Sequence, residues 1–109
     1  MTDVARVLAA LAEPTRRQVL EGLRAGPRSV GELTEAVPVS QSAVSQHLRV
    51  LREAGLVTER REGTRRLYRV DPDGLSSLRA YLDGFWDDAL EAFRVEAEKS
   101  HRQRGSKRE

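Results

Sequence analysis

No cysteine occurs among the 109 residues. That absence excludes disulfides, thiolate metal sites and thiol redox switching together. Aromatic residues make up only 5% of the chain, so the core must be mostly aliphatic. Such a composition suits packed helices better than a β-sandwich. Lysine is also scarce: two Lys stand against seventeen Arg, a bias that fits a GC-rich genome. No apolar run approaches the roughly 20 residues needed to span a bilayer. Met1-Thr2-Asp3 does not open a charged-then-apolar leader. The expected location is therefore the cytoplasm, with no membrane partner.

What is present reads as one domain, small enough to be marginal alone. The net charge of +2 hides a segregation. Residues 1–40 balance five Arg against five acids, and residues 41–70 carry seven Arg against three Glu. Residues 71–98 then carry two Arg against eight acids, and residues 99–109 five basic groups against one acid. The basic block at 41–70 is where a polyanion would bind. Read without its motifs, the same block is only a solvated Arg-rich face.

Apolar spacing and punctuation predict five helices and one hairpin. Val4, Val7, Leu8 and Leu11 form one face of a helix over 3–12. Pro14 suits the first turn of a second helix to Arg24, with Val19, Leu20 and Leu23 inward. Ala25-Gly26-Pro27 stops it. Ser29 and Glu32 match a capping box, which starts a short third helix to Val37. After the turn Pro38-Val39-Ser40, Ser40 caps a fourth helix over 41–54, and Gly55 sits where a left-handed terminator is wanted. Two short runs, 56–61 and 65–70, flank Glu62-Gly63-Thr64 and read as a β-hairpin. A long last helix starts near Asp73 and ends about Lys99. Residues 100–109 read as a basic, disordered tail.

The fourth helix carries the chemistry. Val44, Leu48 and Leu51 are its buried stripe. Ser42, Ser45, Gln46 and Arg49 recur on another face, with Gln41 at the start. That face fits a major groove: Gln pairs with adenine, Arg with guanine, Ser with several bases. His47, in the same helix, reads as either a phosphate contact or a packing residue. The preceding helix and turn complete a helix-turn-helix. Arg60, Arg61, Arg65 and Arg66 ring the hairpin tip and suit phosphate contacts, which fix register and carry little sequence information.

The run from Ser45 through Leu48 and Gly55 to Val57, the hairpin ending in Leu67-Tyr68, and the opening Leu8 to Arg17 with its Glu13-Pro14-Thr15 resemble the ArsR (ArsR/SmtB) family. The resemblance spans about residues 4–98. It implies a winged helix-turn-helix, mainly α with a small hairpin, of five helices plus a wing. It implies a dimer formed by the N- and C-terminal helices, and a repressor that releases a palindromic operator when an inducer binds. Many relatives sense metals through a Cys-containing motif on the third helix or Asp and His pairs on the last. Here the third helix has no thiol, and the last has Asp83, Asp87, Asp88 and Glu91 without His. The chain is similar instead to the metal-less branch, whose members often repress their own operons, so neither metal nor cofactor is expected.

The last helix bears a stripe that a small domain cannot cover alone. Leu82, Phe85, Trp86, Leu90 and Phe93, with Leu8 and Leu11 of the first helix, are the expected homodimer interface. A small-molecule inducer pocket around Trp86 and Phe93 is the other use for these side chains. The leading function is a DNA-binding repressor with double-stranded DNA as partner. The alternatives are a sensor that releases DNA on binding a metal or small molecule, a winged helix that binds only protein, and an enzyme. For the enzyme, no nucleophile–base set and no phosphate-binding glycine loop is present. The domain is expected over 1–99.

Overall fold

The computed structural model describes residues 3–106, with side chains described for residues 3–102. In chain order the elements are α1 (Val4–Leu11), α2 (Pro14–Glu21), α3 (Val30–Ala36), α4 (Gln41–Glu53), β1 (Val57–Glu62), β2 (Arg65–Val70) and α5 (Pro72–Ser106). Two compact units are distinguished, Met1–Leu78 and Arg79–Glu109, with the division falling inside α5. None of the described helices is long and apolar enough to cross a membrane.

Helix starts follow side-chain chemistry. Asp3, Ser29 and Ser40 each accept a bond from an otherwise unpaired N–H of the first turn. Glu13, a less usual cap, accepts from Thr15 N at 3.1 Å and Arg16 N at 2.8 Å. The capping box at α3 is complete in both directions.

Helix ends are more varied. α2 stops at Glu21, three residues before the expected Arg24. Leu23 and Arg24 instead donate to Leu20 and Glu21 in tightened i→i+3 bonds. Pro27 disfavours helix at Gly26, whose φ is +147°. α4 ends as expected at Gly55, with φ +81°. Gly55 N bonds to Arg52 O at 3.0 Å and Leu56 N to Leu51 O at 2.9 Å, the two bonds of a Schellman motif.

The hairpin is tighter than expected. Glu62 pairs with Arg65, so the loop is the two residues Gly63-Thr64 and not three. Gly63 takes φ +65° while Thr64 does not, the pattern of a turn whose twist matches its strands. A third segment also joins the ribbon. Arg28 and Tyr68 exchange both backbone bonds, at 3.0 and 2.8 Å. A single residue gives no alternation to read, so the sequence carries no signal for this bridge.

The core of the first unit is aliphatic, as the composition requires. Val7, Val19, Leu33, Val44, Leu48, Leu51, Leu56 and Val57 are almost fully buried, and Tyr68 closes the wing side. In the second unit every described side chain of α5 is exposed. α5 runs on to Ser106, past the expected end at Lys99. Residues 100–106 are thus helical, which corrects the disordered tail expected over 100–109; residues 107–109 lie outside the described residues. Polarity alone does not break a helix. Arg94 bonds both Glu91 and Glu98 along this surface, at the spacings that support helices.

α5 begins against the end of α4. Asp71 N donates to Leu56 O at 2.8 Å. At Gly74 a Cβ would lie 2.1 Å from Gly55 O, so the missing side chain at Gly74 lets backbone meet backbone. Gly74→Ala is expected to cost about 1–3 kcal/mol as an overpacked site. Gly31→Ala, where the new Cβ meets only Ser29 Oγ at 3.8 Å, serves as control. It should be neutral or stabilising by up to about 1 kcal/mol, from helix propensity. Urea unfolding of both decides, and equal effects would rule out the close approach.

Candidate nucleic-acid interface

Burial of Val44, Leu48 and Leu51 fixes which side of α4 faces out. Gln41, Ser42, Ser45, Gln46 and Arg49 are exposed on it. Five of the six residues expected to read DNA therefore share one accessible surface. His47 does not join them. At 3.6 residues per turn it lies about 150° around the helix from that face. It is half-buried, with Nε2 3.8 Å from Glu13 Oε2. His47 thus packs α4 against the N-terminus of α2, the second of its two sequence readings. The signal was available in its spacing, one residue before the buried Leu48.

Glu13 is shaped by that position. Partial burial opposes its charge, but the N–H bonds from Arg16 and Thr15 and the nearby His47 outweigh it. Its carboxyl is held below the usual range. One carboxylate therefore caps α2 and faces the imidazole of α4.

The four wing arginines fall into different settings. Arg61 and Arg66 stand opposite each other across the ribbon and are exposed. Neither has an ion-pair partner among the described residues. Arg60 lies 3.6 Å from Glu62 on its own strand. Arg65 donates to Glu32 Oε1 at 2.6 Å, reaching the first turn of α3. Lower on the ribbon, Arg52 of α4 pairs with Glu59 of β1 at 2.8 Å. Burial first, then the neighbouring Glu59 carboxylate, push the Tyr68 hydroxyl above its ordinary pKa. The sequence reading missed Arg28, Glu32, Arg52 and Glu59 as residues that anchor the wing. Glu32 was legible only as a helix cap, because its second partner comes from a remote strand.

Most of the residues expected at a dimer interface remain uncovered within the chain. Phe85, Trp86 and Phe93 are 61%, 66% and 74% exposed, too open to count as core. Leu82 and Leu90 are also exposed. Tyr81 stacks edge-on against Phe85 at 5.1 Å. On α1, Leu8 is exposed and Leu11 is half-buried against the core. Trp86 lines a shallow depression with Leu82, Asp83, Phe85 and Ala89, without Phe93. Trp86 and Phe93 do not share that depression. Among the described residues, no group of three or more His, Cys, Asp or Glu side chains is placed to hold an ion.

Known proteins share this architecture and sequence. A family model described as "Bacterial regulatory protein, arsR family" matches residues 13–59, from the cap of α2 to the first strand. HTH-type transcriptional regulator Rv2034 of Mycobacterium tuberculosis is 53% identical over 88 residues, 81% of this chain and 82% of its own. An ArsR-like transcriptional regulator from Rhodococcus sp. RHA1 is similar in structure, with TM-score 0.71 and 32% identity, over 83% of this chain and 88% of its own. The homodimeric winged helix-turn-helix DNA-binding domain Mb0332 (fragment 1–100) of Mycobacterium bovis has TM-score 0.63 and 38% identity, over 80% and 81%. With its helix-turn-helix, its wing and these relatives, the chain belongs to the arsR family of bacterial regulatory proteins, DNA-binding winged helix-turn-helix regulators of transcription and not enzymes.

Proposed function

We propose that the chain is a cytoplasmic repressor that binds a palindromic operator as a homodimer and regulates its own operon. The observation that carries the reading is the exposed face of Gln41, Ser42, Ser45, Gln46 and Arg49 on α4, opposite the buried stripe. Gln46 suits the donor–acceptor pair of adenine, and Arg49 the two acceptors of guanine. The N-terminus of α4 adds unpaired N–H groups for a phosphate. One reading helix covers few base pairs. Two, related by a two-fold axis and about 34 Å apart, read successive major grooves. Leu82, Phe85, Trp86, Leu90 and Phe93, with Leu8 and Leu11, supply apolar surface for that pairing. Repression and autoregulation fit the absence of thiols and the scarcity of His, which leave no ligand set for a soft metal.

A second reading, a sensor that releases DNA on binding a small molecule, is favoured by one feature. A half-open cleft of about 380 Å³ is lined by Leu20, Leu23, Val70 and Leu75, together with Glu21 and Arg24. Its size is within the range of ligand pockets.

Footprinting the DNA upstream of the protein's own gene tests the main reading. Two-fold symmetric protection is expected, with half-sites one helical turn or a multiple apart. On that site Gln46→Ala or Arg49→Ala should cost about 1–3 kcal/mol per half-site and relax selectivity at one position. Competition against random duplex reads both effects. Variants that bind both duplexes like wild type would take the reading face off the DNA.

Assembly gives an independent check. Burying Phe85, Leu90 and Phe93 across a dimer should contribute about 1.5–3 kcal/mol per side chain. Leu90→Glu or Phe93→Glu should give monomers in sedimentation equilibrium and abolish operator binding, with α4 untouched. A wild-type chain that is monomeric at micromolar concentration yet binds tightly would refute the dimer.

A further inference from the structure

Arg65 and Glu32 are 33 positions apart, yet their side chains meet at 2.6 Å. The accepting atom, Glu32 Oε1, also takes the Ser29 N–H at 3.0 Å, while Ser29 Oγ takes the Glu32 N–H at 3.2 Å. Arg28, just before this box, is bonded by its backbone to Tyr68. Residues 28–32 therefore grip β2 at two points, Tyr68 and Arg65, roughly 10 Å apart along the strand. The Ser29 N–H and hydroxyl, opposed by partial burial and helped by Arg65 and Arg28, hold the Glu32 carboxyl below its usual range. It is charged at neutral pH, and Arg65 is engaged before any DNA arrives.

Arg61 and Arg66 are in the opposite condition. They are cross-strand neighbours of like charge, a pairing that costs stability in a ribbon. Both are exposed, and no carboxylate among the described residues pairs with either. A phosphate between them would relieve the repulsion and accept from both guanidinium groups.

We propose that Arg65 is a positioning residue and not a phosphate ligand: through Glu32 it acts as a strut that sets the wing against the first turn of α3. The phosphate contact of the wing then belongs to the Arg61–Arg66 pair. This rests on the DNA-binding reading and divides labour among four arginines that the sequence presents as equivalent.

The test uses a duplex selected by the wild-type protein from a random pool, and a random-sequence duplex, each titrated with salt. Arg61→Ala and Arg66→Ala should each flatten the slope of log K against log salt by roughly 0.9 per chain on both duplexes. Arg65→Ala should leave the slope unchanged and weaken the selected duplex about two- to five-fold, the size of an exposed ion pair. Glu32→Gln keeps a side chain able to cap α3. It removes a negative charge, so plain attraction to the polyanion would tighten binding. The strut instead requires weakening equal to that of Arg65→Ala, with the double variant no worse than either single one. A slope loss near 0.9 in Arg65→Ala, tighter binding by Glu32→Gln, or additive losses in the double variant would each overturn the proposal. Should Glu32→Gln fail to fold, the surface substitution Arg65→Ala decides by its slope alone. Wild-type protein that selects no duplex would count against the DNA-binding reading itself, whereas a slope loss at Arg65 with normal wild-type binding counts against the strut alone.

Discussion

Rotation of α4 about its own axis is set by three side chains. Val44, Leu48 and Leu51 are each at most 1% exposed, and they leave the helix no second way to lie. Turning it by one residue would expose a leucine and bury a serine or glutamine without a partner, each costing on the order of 1–3 kcal/mol. Everything else follows from that setting. Gln46 and Arg49 face out because the stripe faces in. His47, beside the stripe, meets Glu13 on α2. The Schellman turn at Gly55 then aims the chain into β1, so the wing leaves α4 from a fixed point.

Charge acts here at two ranges. Over the whole sequence, a basic block at 41–70, suited to a polyanion, is followed by an acidic block at 71–98. At contact distance the accounting differs. Arg52, Arg60 and Arg65 spend their charge on Glu59, Glu62 and Glu32, whereas Arg49, Arg61 and Arg66 do not. Summed charge therefore overstates how many cations a phosphate would find free. Exposed ion pairs contribute little stability each, and their effect here is geometric.

Much of this was legible in the sequence, for identifiable reasons. Helix starts were readable because Ser29 and Ser40 act on N–H groups only three residues away. The end of α4 was readable because only glycine takes the left-handed conformation there cheaply. The exposed reading face was readable because its period is local. What the sequence concealed depends on partners distant in the chain: the Arg28–Tyr68 bridge, the Arg65–Glu32 pair and the Gly74–Gly55 approach. The hairpin loop is one residue shorter than its sequence suggests, since Glu62 suits either loop or strand and only its pairing with Arg65 places it in the strand. The tail reads as disordered from its polar composition, but polarity does not exclude helix, and residues 100–106 continue α5.

The start of α5 is seated by main-chain atoms at Gly55 and Gly74 and by Leu78, which packs against the core. From Arg79 onward no described side chain of this helix is enlisted in a core of its own unit. Within a single chain, these side chains meet no packing of the kind that encloses Val44 or Leu51. Whatever constrains Leu82, Phe85, Trp86, Leu90 and Phe93 therefore acts between molecules, and not through a core of their own unit.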